Sequence, residues 1–159
     1  ILLCDASVLI DYVAADIRIL EIMATRIWKL TTIIPVLREV KGLTKEKAEK
    51  IGITIHEPTF DELVEAAKPV AGLSSEDRLC LAITRKRRWS CLTNDIRLRK
   101  SCTECGVQVV WGLEVMLYLH RAGFIEKERA IKTAKIIQTS NPFHITEIVL
   151  KQFLQNLEQ

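Results

Sequence analysis

The feature that most constrains this chain is an alternation. Short apolar runs of strand length recur between longer amphipathic segments. Ile1–Cys4, Leu30–Ile34, Ile53–His56, Ser90–Leu92 and Val107–Trp111 predict strands. Asp16–Thr25, Thr44–Lys50, Phe60–Lys68, Glu76–Arg88 and Leu113–Arg121 predict helices, with a further short one over Ile96–Ser101. Alternation of this kind predicts an α/β domain in which a parallel sheet is flanked by helices on both faces. No element is assigned between Asp5 and Asp16 beyond a turn. With 159 residues, one core is expected, and apolar residues at 48% are sufficient to fill it.

After Gly123 the pattern changes. Glu126–Gln138 and Thr146–Leu157 both read as amphipathic helices, and no strand follows. The second places Val149, Leu150, Phe153, Leu154 and Leu157 on one stripe. The chain therefore divides into an α/β domain over 1–123 and a helical extension over 124–159, packed on the domain or at a dimer interface.

Composition excludes several classes. No apolar run reaches the ~18–20 residues of a membrane span, so no membrane partner is expected. No leader-like segment precedes Asp5, and a cytoplasmic setting is expected. The five cysteines are Cys4, Cys80, Cys91, Cys102 and Cys105, an odd number that does not suit a disulfide framework. Cys102 and Cys105 form a lone C-x-x-C without a second pair, read as reduced thiols near a helix end rather than a zinc site.

In open parallel sheets, ligands bind beyond the carboxyl ends of the strands. Acidic residues follow these strands repeatedly. Asp5 follows the first. Glu39 follows the second, on a short helix after Pro35. Asp95 follows Ser90–Leu92, and Asp77 opens the Glu76–Arg88 helix. Each has an ordinary structural reading, since Asp5 can turn the chain and Asp77 and Asp95 can cap helices. Together they make an acidic edge. Crowded carboxylates resist ionisation until a cation relieves them, and oxygen-only ligands suit Mg²⁺ or Mn²⁺. Two such ions can activate water against a phosphodiester.

Four segments carry a family resemblance: Asp5-Ala6-Ser7-Val8-Leu9-Ile10-Asp11, Val36-Leu37-Arg38-Glu39-Val40, Leu73-Ser74-Ser75-Glu76-Asp77-Arg78-Leu79 and Leu92-Thr93-Asn94-Asp95. In this order, over about residues 1–123, the chain resembles the PIN domain family, and within it the VapC-like toxin ribonucleases. The resemblance implies a three-layer PIN-like fold and a metal-dependent endoribonuclease using Mg²⁺ or Mn²⁺. By position, Asp5, Glu39, Asp77 and Asp95 match the family's metal-binding acids, and Ser7 and Thr93 its polar supporting positions. Ser7 is expected to bond a carboxylate or a metal-bound water. Glu76 stands beside Asp77 and is the alternative ligand; on a helix only one of the two should face the site. The resemblance also implies an RNA substrate, a homodimer supported by the tail and, if the chain is a toxin, a small antitoxin protein partner.

Charge is uneven. The whole chain carries +3, whereas residues 85–100 hold seven basic side chains and one acid. Arg97 and Arg99, close to Asp95, are candidate RNA-backbone contacts, and Arg85–Arg88 is either a second basic contact or a solvated helix end. No aromatic accompanies them; Trp28, Trp89 and Trp111 read as packing residues, so base stacking is not expected. Two other readings compete. A haloacid-dehalogenase-type phosphatase would want a second Asp where Ser7 stands. A non-catalytic PIN-like module for RNA binding or protein interaction would need none of the acids.

Overall fold

The computed structural model describes all residues, Ile1–Gln159. Five parallel strands, β1 (Leu2–Cys4), β2 (Leu30–Thr32), β3 (Thr54–Ile55), β4 (Ser90–Leu92) and β5 (Val109–Val110), form one sheet in the order β3-β2-β1-β4-β5. Ten helices flank it: α1 (Ala6–Ala15), α2 (Ile17–Arg26), α3 (Ile34–Leu37), α4 (Lys45–Lys50), α5 (Phe60–Ala67), α6 (Ser75–Arg87), α7 (Ile96–Glu104), α8 (Gly112–Arg121), α9 (Lys127–Ser140) and α10 (Glu147–Leu157). The fold is α/β, and it is compatible with the three-layer PIN-like arrangement. No helix is long and apolar enough to cross a membrane.

The sheet order decides where a site can form. The chain moves outward from β1 to β2 and β3, then returns to the other side of β1 as β4 and β5. Right-handed crossovers put helices from the two directions on opposite faces. The contacts agree with this, since α5, α6 and α7 pack together, while α1, α2, α8, α9 and α10 form a separate group. The direction reverses between β1 and β4, which opens a crevice at their carboxyl ends.

Side-chain caps set several helix starts. Asp5 accepts from Val8 N–H at the start of α1, and Asp95 accepts from Arg97 and Leu98 N–H at the start of α7. Ser74 and Asp77 form a capping box on α6, as Thr59 and Glu62 do on α5. Two differences from expectation stand out. Helix α1 fills the segment to which the sequence pattern assigned nothing; it buries Val8, Leu9, Asp11 and Tyr12 on one face, but Ile10, Val13 and Ala14 on its outer side leave it without a clean polar stripe. Glu39 lies outside α3, which ends at Leu37, and occupies the exposed turn after it.

The tail is part of the same core. Ala130, Ala134, Ile137, Ile145, Phe153 and Leu157 are buried in one continuous cluster with the sheet residues. Helix α9 packs on α1 and α8, and α10 packs on α8 and α9. Arg129 reaches back to Asp16 with two hydrogen bonds. The α10 stripe is thus covered by the chain's own helices, with Val149, Leu150 and Leu154 partly buried against them. Of the two placements expected for the tail, packing on the domain is the one seen within the chain.

Candidate active site

The site is built where β1 and β4 end. Asp5 follows β1 directly, is only 3% exposed, and has both carboxylate oxygens engaged. Oδ1 accepts from Ser7 Oγ at 2.8 Å and from Val8 N–H; Oδ2 accepts from Thr93 Oγ1 at 2.6 Å. Thr93, directly after β4, also accepts from Asp95 N–H at 2.9 Å. Ser7 in turn accepts from Asn94 N–H at 3.0 Å. Ser7 and Thr93 therefore hold the Asp5 carboxylate and join the two strand ends.

Charge accumulates here. Burial pushes the Asp5 carboxyl up to about 7; the hydrogen bonds from Thr93, Ser7 and Val8 oppose this, and Asp77 adds to it. Glu39 is also raised, first by partial burial and then by Glu76 and Asp77. Asp5, Asp77 and Glu39 thus share one acidic field. Of the two neighbouring acids on α6, both act on Glu39, and Asp77 acts on Asp5 as well. Glu76 is held by its own N–H and by the Ser75 hydroxyl, which lower its pKa. No ion pair neutralises Asp5, Glu39 or Asp77.

Asp95 stands apart from this group. Its Oδ1 is spent on the two α7 amides, and its Oδ2 lies 3.5 Å from His144 Nε2. His144 belongs to the α9–α10 turn. Across the chain, no three Asp, Glu, His or Cys side chains meet closely enough to hold a metal ion. The donor chemistry nonetheless fits a hard divalent cation: oxygen-only, acidic, and lacking a protein cation to relieve it.

A second network, not anticipated from sequence, supports the first. Asp11 on α1 is buried and accepts from Asn94 Nδ2 at 2.7 Å and from Asn141 Nδ2 at 3.1 and 3.2 Å. Its pKa is raised by burial, against the hydrogen bonds of Asn94 and Asn141 and the charge of His144. Asn94 Oδ1 accepts from Gly112 N–H at 2.8 Å. One asparagine therefore ties the β4–α7 loop to α1 and α8, while another ties the tail to α1. Asn94 lies within the Thr93-Asn94-Asp95 motif, so sequence offered a signal for it. Asn141 and His144 gave none, being more than 120 residues from Asp11 along the chain.

The basic residues divide. Arg97 is exposed on the first turn of α7, with its side chain beside Gly72. Arg99 instead lies flat on the Trp111 ring, 3.5 Å from its centroid, and is half-buried. Arg87 pairs with buried Glu62 and lies over Trp89, and Arg85 reaches Glu65. Only Lys86 and Arg88 of that run are free of ion pairs, and Arg88 closes α6 in the left-handed conformation. All five cysteines are free; Cys102 is buried and Cys105 exposed. The larger groove, about 440 Å³ between α8 and α10, contains Glu114 as its sole acid and lies outside this chemistry.

No family model, curated protein or solved structure matches the chain.

Proposed function

We propose that this chain is a metal-dependent endoribonuclease of PIN-like type, hydrolysing RNA phosphodiester bonds. One observation carries the reading: the buried Asp5 carboxylate at the β1/β4 strand ends is held by Ser7 and Thr93, has no ion-pair partner, and feels the charge of Asp77, which also acts on Glu39. Asp5, Asp77 and Glu39 would hold Mg²⁺ or Mn²⁺, with Asp95 contributing through Oδ2. Such a cation, when bound, supplies an activated water and charge stabilisation at the leaving oxygen.

The chain's own groups do the rest. Thr93 and Ser7 fix the Asp5 carboxylate from both sides, so it enters the reaction already oriented. Arg97, exposed two residues beyond Asp95, is placed to hold a backbone phosphate that the acids would repel. Arg99 acts through packing on Trp111. Under this reading RNA is the substrate, and a small antitoxin is the protein partner if the biological role is that of a toxin. The non-catalytic alternative is favoured by one observation, the commitment of Asp95 Oδ1 to the α7 cap.

The deciding experiment is RNA cleavage with Mg²⁺ or Mn²⁺, with and without chelator, by the wild type and by Asp5→Asn, Asp77→Asn and Asp95→Asn. Loss of cleavage on chelation and in Asp5→Asn and Asp77→Asn supports the reading. Metal-independent cleavage, or near-normal activity in both of those variants, overturns it.

A further inference from the structure

The α9–α10 turn brings an aromatic side chain to the site from the far end of the chain. Phe143 is 71% exposed, and its ring meets the His144 imidazole edge-on with centroids 4.9 Å apart. His144 Nε2 in turn faces Asp95 Oδ2 at 3.5 Å. The turn is firmly anchored at both ends. Asn141 donates to Asp11, and Ile145 is fully buried and donates its N–H to Asn141 O at 2.9 Å. Pro142 stiffens the stretch between.

A single exposed apolar residue is ordinarily unremarkable. Phe143 differs in two respects. It is held outward on a rigid turn whose neighbours are pinned, so it would lose little conformational freedom on meeting a ligand. It also packs against His144, which with Ser7, Asp11, Ser140 and Asn141 lines a cavity of about 330 Å³. An apolar ring next to a polar-rimmed recess, adjoining carboxylates that would handle a phosphodiester, is what a nucleobase requires: a face to stack on and an edge to bond.

We infer that the α9–α10 turn is a nucleotide subsite, in which Phe143 stacks on a base adjoining the scissile phosphate and His144 positions Asp95 beside it. This rests on the proposed RNA-cleaving reading of the crevice. It makes the helical extension part of the substrate site, and it supplies the aromatic platform that the sequence around residues 85–100 lacks.

The test is fluorescence anisotropy of the full chain with a labelled single-stranded RNA of about 12 nucleotides, at one salt concentration, in chelator so that no cleavage intervenes. Phe143→Ala should weaken binding about 5- to 100-fold, the loss of one stacked base. Phe143→Trp should bind as well as the wild type or better. Phe60→Ala removes an equally exposed phenylalanine on α5 and should change nothing. Duplex RNA, whose bases are not available for stacking, should not distinguish Phe143→Ala from wild type. Since Phe143 is exposed, unchanged melting of Phe143→Ala will show that its fold is intact. Wild-type binding that Phe143→Ala leaves within about twofold, less than the loss of one stacked base, overturns the subsite while leaving the nuclease reading intact. Binding that depends on Phe143, without any cleavage when Mg²⁺ or Mn²⁺ is restored, upholds base stacking at this turn but overturns the nuclease and, with it, the placement beside a scissile phosphate. A wild type that neither binds nor cleaves RNA overturns both.

Discussion

The Thr93 hydroxyl donates to Asp5 Oδ2 across 2.6 Å and accepts from the Asp95 amide across 2.9 Å, so one side chain links the ends of β1 and β4. Thr93→Val keeps the shape and removes both bonds. It should cost about 1–3 kcal/mol, because a buried carboxylate and a backbone amide each lose a partner. Bonds to an ionised group are the stronger ones, so the loss should be larger at pH 8 than at pH 5. Urea unfolding at the two pH values will measure it.

Asp5 also sets a pH dependence. Its carboxyl is raised from 3.8 to about 7, so between these values the folded protein binds a proton that the unfolded chain has released. Its contribution is therefore present at acidic pH, declines as pH rises from about 4 to about 7, and is gone above that. Asp5→Asn cannot ionise. It should be more stable than the wild type at pH 8, with the advantage shrinking towards pH 5. Equal denaturation midpoints for the two proteins at pH 8 would contradict this.

Glu62 behaves in the opposite sense. It is 2% exposed, yet it accepts from Thr59 N–H and faces His56 and Arg87; these partners outweigh burial and hold its pKa near 2. Its stabilising contribution is present above 4.5 and is lost as pH falls towards 2. Glu62→Gln should cost about 1–3 kcal/mol at neutral pH. The wild-type and variant stabilities should converge as pH falls through this window, which acid-dependent thermal melts will show.

Gly112 has no room for a side chain. A Cβ there would stand 2.6 Å from Asn94 Nδ2 and 2.7 Å from its Oδ1, and Asn94 is fixed by Asp11 and by Gly112 itself. Gly112→Ala should destabilise by about 1–3 kcal/mol. It should also displace the loop carrying Thr93 and Asp95, which amide chemical shifts at those two residues will report.

Much of this arrangement was legible in the sequence because its signals are local. Ser74 and Asp77 read as a helix start, and the Ser90–Leu92 strand followed by Thr93 and Asp95 falls where expected. Helix α1 was not legible: its outer side carries Ile10, Val13 and Ala14 while its buried face includes Asp11, so the sequence shows no clean apolar stripe by which a helix is recognised. Glu39 falls two residues past the helix expected to carry it because α3, which includes Pro35, is a single turn ending at Leu37. The Asp11–Asn141 bonds and the approach of His144 to Asp95 are products of tertiary packing, and no spacing in the chain encodes them.

The two outer strands, β3 and β5, are each only two residues long. A strand docking from another molecule needs a row of unpaired amides and carbonyls as its template, ordinarily five or six residues of it. Neither margin offers that, and the three inner strands, three residues each, lie between neighbours already paired. A parallel sheet built this way is protected against growing sideways into a fibre. A partner strand therefore finds no template at either margin of this sheet.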